Sequence, residues 1–309
     1  MSTRISTIGS YSAVLANLMA AQQRQMDAGD KVATQKNGQD LKDYARDAEL
    51  ITAMRSIRTR VENYQDTNGL IADRLATQDT ALNQVADAAG GTRQIIAEAL
   101  ASGRVDTLVE DIQAQMRNAV EGMNARYGGK FVFSGGQVDT RPVTATSLAD
   151  LTAGPPIASF FKNDGFKTQA RIDDSTTVTT GVLASDIGAN MLTAFQTFQT
   201  FEQGGSGPFA GAMTAAQRTF LEGQLATWDG IRADVTNIAG RNGLTQRRVD
   251  GVKADLVARN NQLAGMMGEI TDADMALAAT QLQAAQLSVQ AAAQVFISLQ
   301  NSSLLNVLK

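Results

Sequence analysis

The sequence predicts a mainly α fold: a long antiparallel helical, coiled-coil rod built from both chain ends, with a small β-rich insert in the middle. Three observations predict it. Apolar residues from Met54 to Ala89 recur at alternating spacings of three and four, the heptad signature of packed helices. The segment Met275–Leu308 repeats that pattern and contains no charged residue. Between them, "GGKFVFSGGQVDTRPV" (Gly128–Val143) brackets an aromatic run with glycine pairs and leads into Thr- and Val-rich alternating stretches.

The seam of the first long helix is Met54, Ile57, Val61, Tyr64, Asn68, Ile71, Leu75, Gln78, Leu82, Val85 and Ala89. Asn68 and Gln78 are its polar members, a type of position that fixes register at some cost in stability. Upstream, Ile8, Tyr11, Leu15 and Leu18 keep the same spacing. This predicts a first helix to about Ala28, then a connector to about Gln39 containing the Asn37-Gly38 breaker. Gly90-Gly91 is expected to end the long helix. A further helix is expected from about Asp106 to Arg126, capped by Asp106 or Thr107 and stopped by Gly128-Gly129.

Residues 128–188 are predicted to form the β-rich insert, with Asp164-Gly165 as a tight hairpin turn and Asp173-Asp174 as another turn. Helix returns near Ala189. A loop, "EQGGSGPFAG", precedes a long helix from about Thr214 to Met267, with a local irregularity expected at Arg241-Asn242-Gly243. The last helix keeps Met275, Ala278, Leu282, Ala285, Val289, Ala292, Phe296 and Leu299 in heptad register. The predicted organisation is therefore five segments: 1–40 and 271–309 as terminal assembly segments, 41–127 and 189–270 as the two halves of the helical rod, and 128–188 as an outward insert.

Composition narrows function. The 309 residues carry a net charge of −4, which disfavours nonspecific nucleic-acid binding. Cys and His are both absent, which removes thiol nucleophiles, disulfides, imidazole bases and the commonest zinc ligands. No stretch of 18 apolar residues exists, so no membrane insertion is expected. The N-terminal "MSTRISTIGSYSAVLANL" lacks the apolar run of a secretory signal, so either a cytoplasmic protein or export without a cleaved leader is expected.

No catalytic constellation emerges, and no cofactor or metal is expected. Asp272 and Asp274 are paired carboxylates, but Thr271-x-x-Asp274 before an apolar run is better explained as a helix capping box. "KNDGF" lacks the spacing of a calcium loop. The charge-free final helix is the most informative feature. A solvent-facing helix normally carries charge on its outer side. Burial inside its own domain is one reading. Burial by other copies of the chain is the sharper one, with both chain ends loosely ordered until assembly.

These pieces resemble the flagellin superfamily of bacterial axial proteins. The resemblance rests on the opening "RISTIGSYSAVLANL" and on "EITDADMALAATQLQAAQLSVQAAAQVFISLQNSSLLNVLK" at the other end. Within that superfamily the chain is most similar to the hook–filament junction type, the third hook-associated protein. Junction proteins carry an N-G-x-Y-x-F-x-G-x-x-T-x-x-P-like signature, to which Tyr127, Gly129, Phe131, Phe133, Gly135, Thr140 and Pro142 correspond. The ending "SSLLNVLK" also resembles the junction type. The connector departs from the family: residues 30–48 contain no proline, where relatives carry a serine-rich, Asp-Pro-containing motif.

The resemblance implies an extracellular structural protein of the bacterial flagellum, exported through the type III apparatus and forming an adaptor ring between hook and filament. Its implied partners are other copies of itself, a neighbouring hook-associated protein on the hook side, flagellin on the filament side, and an export chaperone. The implied assembly residues are Ile5, Ile8, Leu15, Leu18, Met275, Leu282, Val289, Phe296, Leu299, Leu304, Leu305 and Leu308, with Thr271 and Asp274 capping the last helix. The alternatives are a flagellin filament subunit and, less in keeping with the charge-free terminus, a cytoplasmic coiled-coil adaptor.

Overall fold

The computed structural model describes the backbone of residues 2–307 and the side chains of residues 11–299. The chain is mainly α, with seven helices and four short strands among the described residues. In order they are α1 (Ser2–Thr34), α2 (Ala48–Ser102), α3 (Leu108–Met123), β1 (Arg126–Tyr127), β2 (Lys130–Phe131), α4 (Leu148–Thr152), β3 (Gln169–Arg171), β4 (Thr177–Thr179), α5 (Ala184–Gln203), α6 (Ala215–Thr271) and α7 (Met275–Val307). Short 3₁₀ turns lie at Leu41–Tyr44 and Ile157–Phe160. The chain divides into two compact units, one of residues 1–61 with 258–309 and one of residues 62–257.

In the 62–257 unit, α2, α3, α5 and α6 share one core. Trp228 from α6 is 1% exposed and its ring centroid lies 4.7 Å from that of Phe195 on α5. Ile96, Ile112, Met116 and Met123 fill the space between α2 and α3. The predicted seam is the buried face of α2 here: Asn68, Leu75, Gln78, Leu82, Val85 and Ala89 are all buried.

The two glycine pairs do not behave as the sequence suggests. α2 runs through Gly90-Gly91 to Ser102. A methyl group at Gly91 would lie 2.9 Å from the Gln115 side chain of α3, and one at Gly90 would lie 3.3 Å from Arg232 Nε of α6. The glycines let neighbouring side chains lie against the helix, and that packing outweighs their intrinsic cost of about 1 kcal/mol each. Gly128-Gly129 is not a helix stop either. α3 already ends at Met123, and the pair forms the two-residue turn of the β1–β2 hairpin, both with positive φ (57° and 81°).

Residues 128–188 contain few strand residues and do not pack as a separate body. Val132, Phe133, Val143, Leu148, Leu151 and Phe160 lie within the helical core. The β3–β4 hairpin covers a smaller cluster in which Ile172 and Val178 meet Leu75 of α2 and Val249 of α6. Its turn is made by Asp173, whose carboxylate accepts from the backbone N–H groups of Ser175 and Thr176, both at 2.6 Å. Those bonds hold its pKa down to about 2. Asp164-Gly165 makes no hairpin. The Asp164 carboxylate instead accepts from the N–H of Gly136 (2.9 Å) and Phe166 (3.0 Å).

Three buried amides tie these segments together. Asn68 Nδ2 donates to Ile172 O at 2.9 Å, Gln78 Nε2 to Val132 O at 3.4 Å, and Asn242 Nδ2 to Leu75 O at 2.9 Å. The polar seam residues thus mark where the two hairpins seat on α2. The side-chain oxygen of each is buried without a protein partner, so these amides select position more than they add stability. α6 runs unbroken across Arg241-Asn242-Gly243, where an irregularity is expected from sequence.

Trp228→Ala is expected to lower unfolding free energy by about 3–5 kcal/mol. Leu244→Ala, at an exposed site on the same helix, is expected to change it by less than about 0.5 kcal/mol. Urea titrations followed by far-ultraviolet circular dichroism check both.

Candidate assembly surface

In the unit formed by the chain ends, α1 packs against α7. The rings of Tyr11 and Phe296 meet at a tilt of 49° with centroids 5.0 Å apart, and Lys36 bridges Asp272 in antiparallel fashion, which fixes the helices as antiparallel. In that register Ala28 comes level with Ala278 and Ala21 with Ala285. These four are buried, and their short side chains let the backbones approach closely. Leu18, Leu282, Val289, Phe296 and Leu299 lie half-buried on the same seam.

Of the other predicted assembly residues, Leu15 and Met275 are exposed. Ile5, Ile8, Leu304, Leu305 and Leu308 lie outside the described side chains. Sequence reasoning missed a second apolar surface. On α7, Leu277, Leu287, Val295 and Ile297 are 48–66% exposed, and on α1 Met19 and Met26 are 63% and 57% exposed. The signal was available as a second run of apolar residues offset from the seam, on helices whose outer positions are Gln, Ser, Thr and Ala.

Two connectors close this unit. Residues 35–47 and 271–274 pair through Asn37 N–H to Thr271 O (2.8 Å) and Ala273 N–H to Gln35 O (2.9 Å). Asn37 Nδ2 donates to Asp272 O at 2.8 Å. The Tyr44 hydroxyl accepts from Gly38 N–H (2.9 Å) and lies within bonding distance of the carbonyl oxygens of Gly38 (2.9 Å) and Thr271 (3.2 Å). Lys36 Nζ pairs with the Asp272 carboxylate. Tyr44 is the one aromatic residue in a polar connector, the sequence signal that was overlooked.

The two carboxylates considered as a chemical pair have separate structural tasks. Asp274 is the helix cap: its Oδ1 accepts from the N–H groups of Ala276 (2.9 Å) and Leu277 (3.1 Å). Thr271 is not the capping partner expected from sequence. It ends α6, and its hydroxyl donates to Met267 O at 2.9 Å. Among the described residues no group of acids is arranged to hold a metal ion, and no helix is long and apolar enough to cross a membrane.

The junction-type motif lies in the other unit and builds a clasp between α3, the β1–β2 hairpin and the start of α5. Tyr127 is half-buried on β1, Gly129 turns the hairpin, Phe131 is buried and Phe133 belongs to the helical core. Phe133 O accepts from Ala184 N–H at 2.9 Å. Gly135 has φ of 71°, in the left-handed region, with the Asp164 carboxylate against it. Pro142 is buried and its carbonyl accepts from Lys162 N–H at 2.8 Å, while Thr140 is exposed.

Comparison with known proteins agrees with this architecture. Residues 225–308 match the family described as the bacterial flagellin C-terminal helical region. No curated protein matches the chain. A Vibrio parahaemolyticus protein described as a flagellar hook-associated protein superposes with a TM-score of 0.61 at 15% identity, covering 74% of this chain and 100% of its own. FlgL of Bacillus cereus superposes with a TM-score of 0.55 at 13% identity, covering 70% of this chain and 99% of its own.

The connector generates a pH prediction. The hydrogen bond from Lys36 holds the Asp272 pKa below its ordinary 3.8. A carboxylate with a depressed folded-state pKa contributes stability above the unfolded value and loses it as pH falls through the folded value. Amide-exchange protection at Asn37, followed by nuclear magnetic resonance, is expected to drop below about pH 3.8. Asp272→Asn is expected to show reduced protection already at neutral pH.

Residues 225–308 of the chain therefore match the flagellin C-terminal helical region, and its fold is similar to that of the Vibrio parahaemolyticus protein described as flagellar hook-associated and to that of FlgL.

Proposed function

We propose that this chain is a structural component of the bacterial flagellum, an adaptor of the junction type that joins hook to filament by self-assembly of its terminal helices. The observation that carries the flagellar reading is the match of residues 225–308 to the flagellin C-terminal helical region, together with a fold shared over 70–74% of the chain. The junction reading adds the clasp at Tyr127–Pro142 and the ending "SSLLNVLK". Its role is mechanical, with no catalytic step. Other copies of the chain, a hook-side hook-associated protein and flagellin are its neighbours in this reading. An export chaperone holds the C-terminal segment before secretion.

The physical basis is the outer face of α7. Leu277, Leu287, Val295 and Ile297 are about half exposed, so covering what remains of each on neighbouring subunits is worth about 0.7–1.5 kcal/mol. Together that reaches the lower end of the net stability of a typical domain. Heterologous contacts between terminal segments, repeated by helical symmetry, bury such a face in every subunit. Seam residues Leu18, Leu282, Val289 and Phe296 organise the pair, and the exposed residues meet neighbours.

Deletion of the gene tests the role. Electron microscopy is expected to show bare hooks, with flagellin shed into the medium. Short or absent filaments without shed flagellin would indicate a filament subunit instead, and normal flagella would overturn both readings. Leu287→Asp is expected to leave the purified monomer's helix content unchanged and to fail to restore filaments in the deletion strain.

A further inference from the structure

Next to the clasp, the 62–257 unit has a groove of about 450 Å³ that the assembly of the terminal helices does not use. Its floor is apolar, made by Ile71 of α2, Phe131 and Val132 of the first hairpin, and Ala170 of β3. Leu70 stands at its mouth, 63% exposed. The charged residues lining it are Arg74, Lys130 and Arg171, and no Asp or Glu lines it. That is a concentrated positive site in a chain of net charge −4. Arg126 adds a fourth cation nearby, its guanidinium 4.1 Å from the centre of the Phe131 ring.

Arg74 is half-buried and, like Lys130, has no hydrogen-bond or ion-pair partner among the described residues. Burial pushes its pKa below the ordinary guanidinium value. A cation that loses water without gaining a partner is destabilising until an anion reaches it. Arg171 donates only to carbonyls, those of Asp173 (3.0 Å) and Asp174.

The backbone supplies a second, independent feature. In the β3–β4 ladder Ile172 N–H bonds Thr176 O and Thr180 N–H bonds Thr168 O, both at 2.9 Å. Main-chain groups alternate sides along a strand, so Gln169 and Arg171 turn their N–H and C=O groups to the opposite edge. Both residues line the groove. An unpaired strand edge is a template for another extended segment.

We propose that this groove binds an extended acidic peptide segment of a partner protein, which adds along the free edge of β3. Its carboxylates pair with Arg74, Lys130 and Arg171, and its alternate apolar side chains fill the floor over Ile71 and Phe131. A small anion satisfies the cations but leaves the strand edge and the apolar floor unused. An apolar peptide leaves Arg74 half-buried and unpaired. The alternation of side chains along a strand delivers both kinds of contact from one short segment.

The test uses the purified full-length chain and fluorescein-labelled, end-blocked hexapeptides of alternating Val and Glu, Val and Gln, or Val and Lys, read by fluorescence anisotropy. Saturable binding of the Glu peptide is expected, with the Gln and Lys peptides at least about tenfold weaker. Arg74→Gln and Lys130→Gln are each expected to weaken the Glu peptide about tenfold without changing thermal unfolding, and salt at about 0.5 M is expected to weaken it further. Equal binding by a backbone N-methylated Glu peptide would overturn strand addition. Absent or unsaturable binding of the Glu peptide, or indifference to both substitutions, would overturn the site. Self-association of the free chain that Arg74→Gln abolishes would assign the groove to a second copy and overturn a foreign partner.

Discussion

Everything at the chain ends turns on one constraint: a C-terminal helix without charge is covered by α1 along one side and still presents apolar residues on another. α1 supplies one side of α7, through a seam whose buried positions are alanines. That seam is close but thin, because Ala contributes little apolar area compared with Leu or Phe. The remaining apolar residues of α7 face away from it. A subunit that hides this surface on neighbours gains a non-directional driving force. Orientation then has to come from polar contacts elsewhere, and the paired connectors around Tyr44 and Asp272 provide them within this unit.

The 62–257 unit solves the opposite problem. Its core is thick, with Trp228, Phe133, Phe195 and Phe198 essentially sealed from solvent. Two short hairpins have to sit at defined places on a long and nearly uniform helix. Apolar packing alone tolerates sliding, since a heptad face repeats. Asn68 and Gln78 break that repeat, each aiming an amide at one backbone carbonyl of one hairpin. A seam polar residue is usually considered for its effect on helix–helix register. Here the partner is a hairpin.

Much of the fold was legible because heptad periodicity is a strong local signal. The α2 seam, the return of helix after the middle segment, the loop before α6 and the charge-free α7 could all be seen in the residues. Helix ends were harder. Gly90-Gly91 looks like a stop in isolation and is passable only because Gln115 and Arg232, distant in sequence, occupy the space. Asp164-Gly165 looks like a hairpin turn and becomes a loop clamp because Gly136 is brought to it by the fold. The assembly surface was partly legible: the seam followed from spacing, but which apolar residues remain exposed depends on the rotation of α7 against α1. The connector was the least legible part, since its contacts join residues more than 200 positions apart.

Amide hydrogen exchange of residues 275–299 in the dilute chain and in the assembled form tests the central claim most directly. The account predicts rapid exchange along α7 at concentrations where the chain is monomeric, slow exchange in α2 and α6 of the 62–257 unit, and strong protection of α7 on assembly. Protection of α7 in the dilute monomer equal to that of α2, unchanged by assembly, would contradict it.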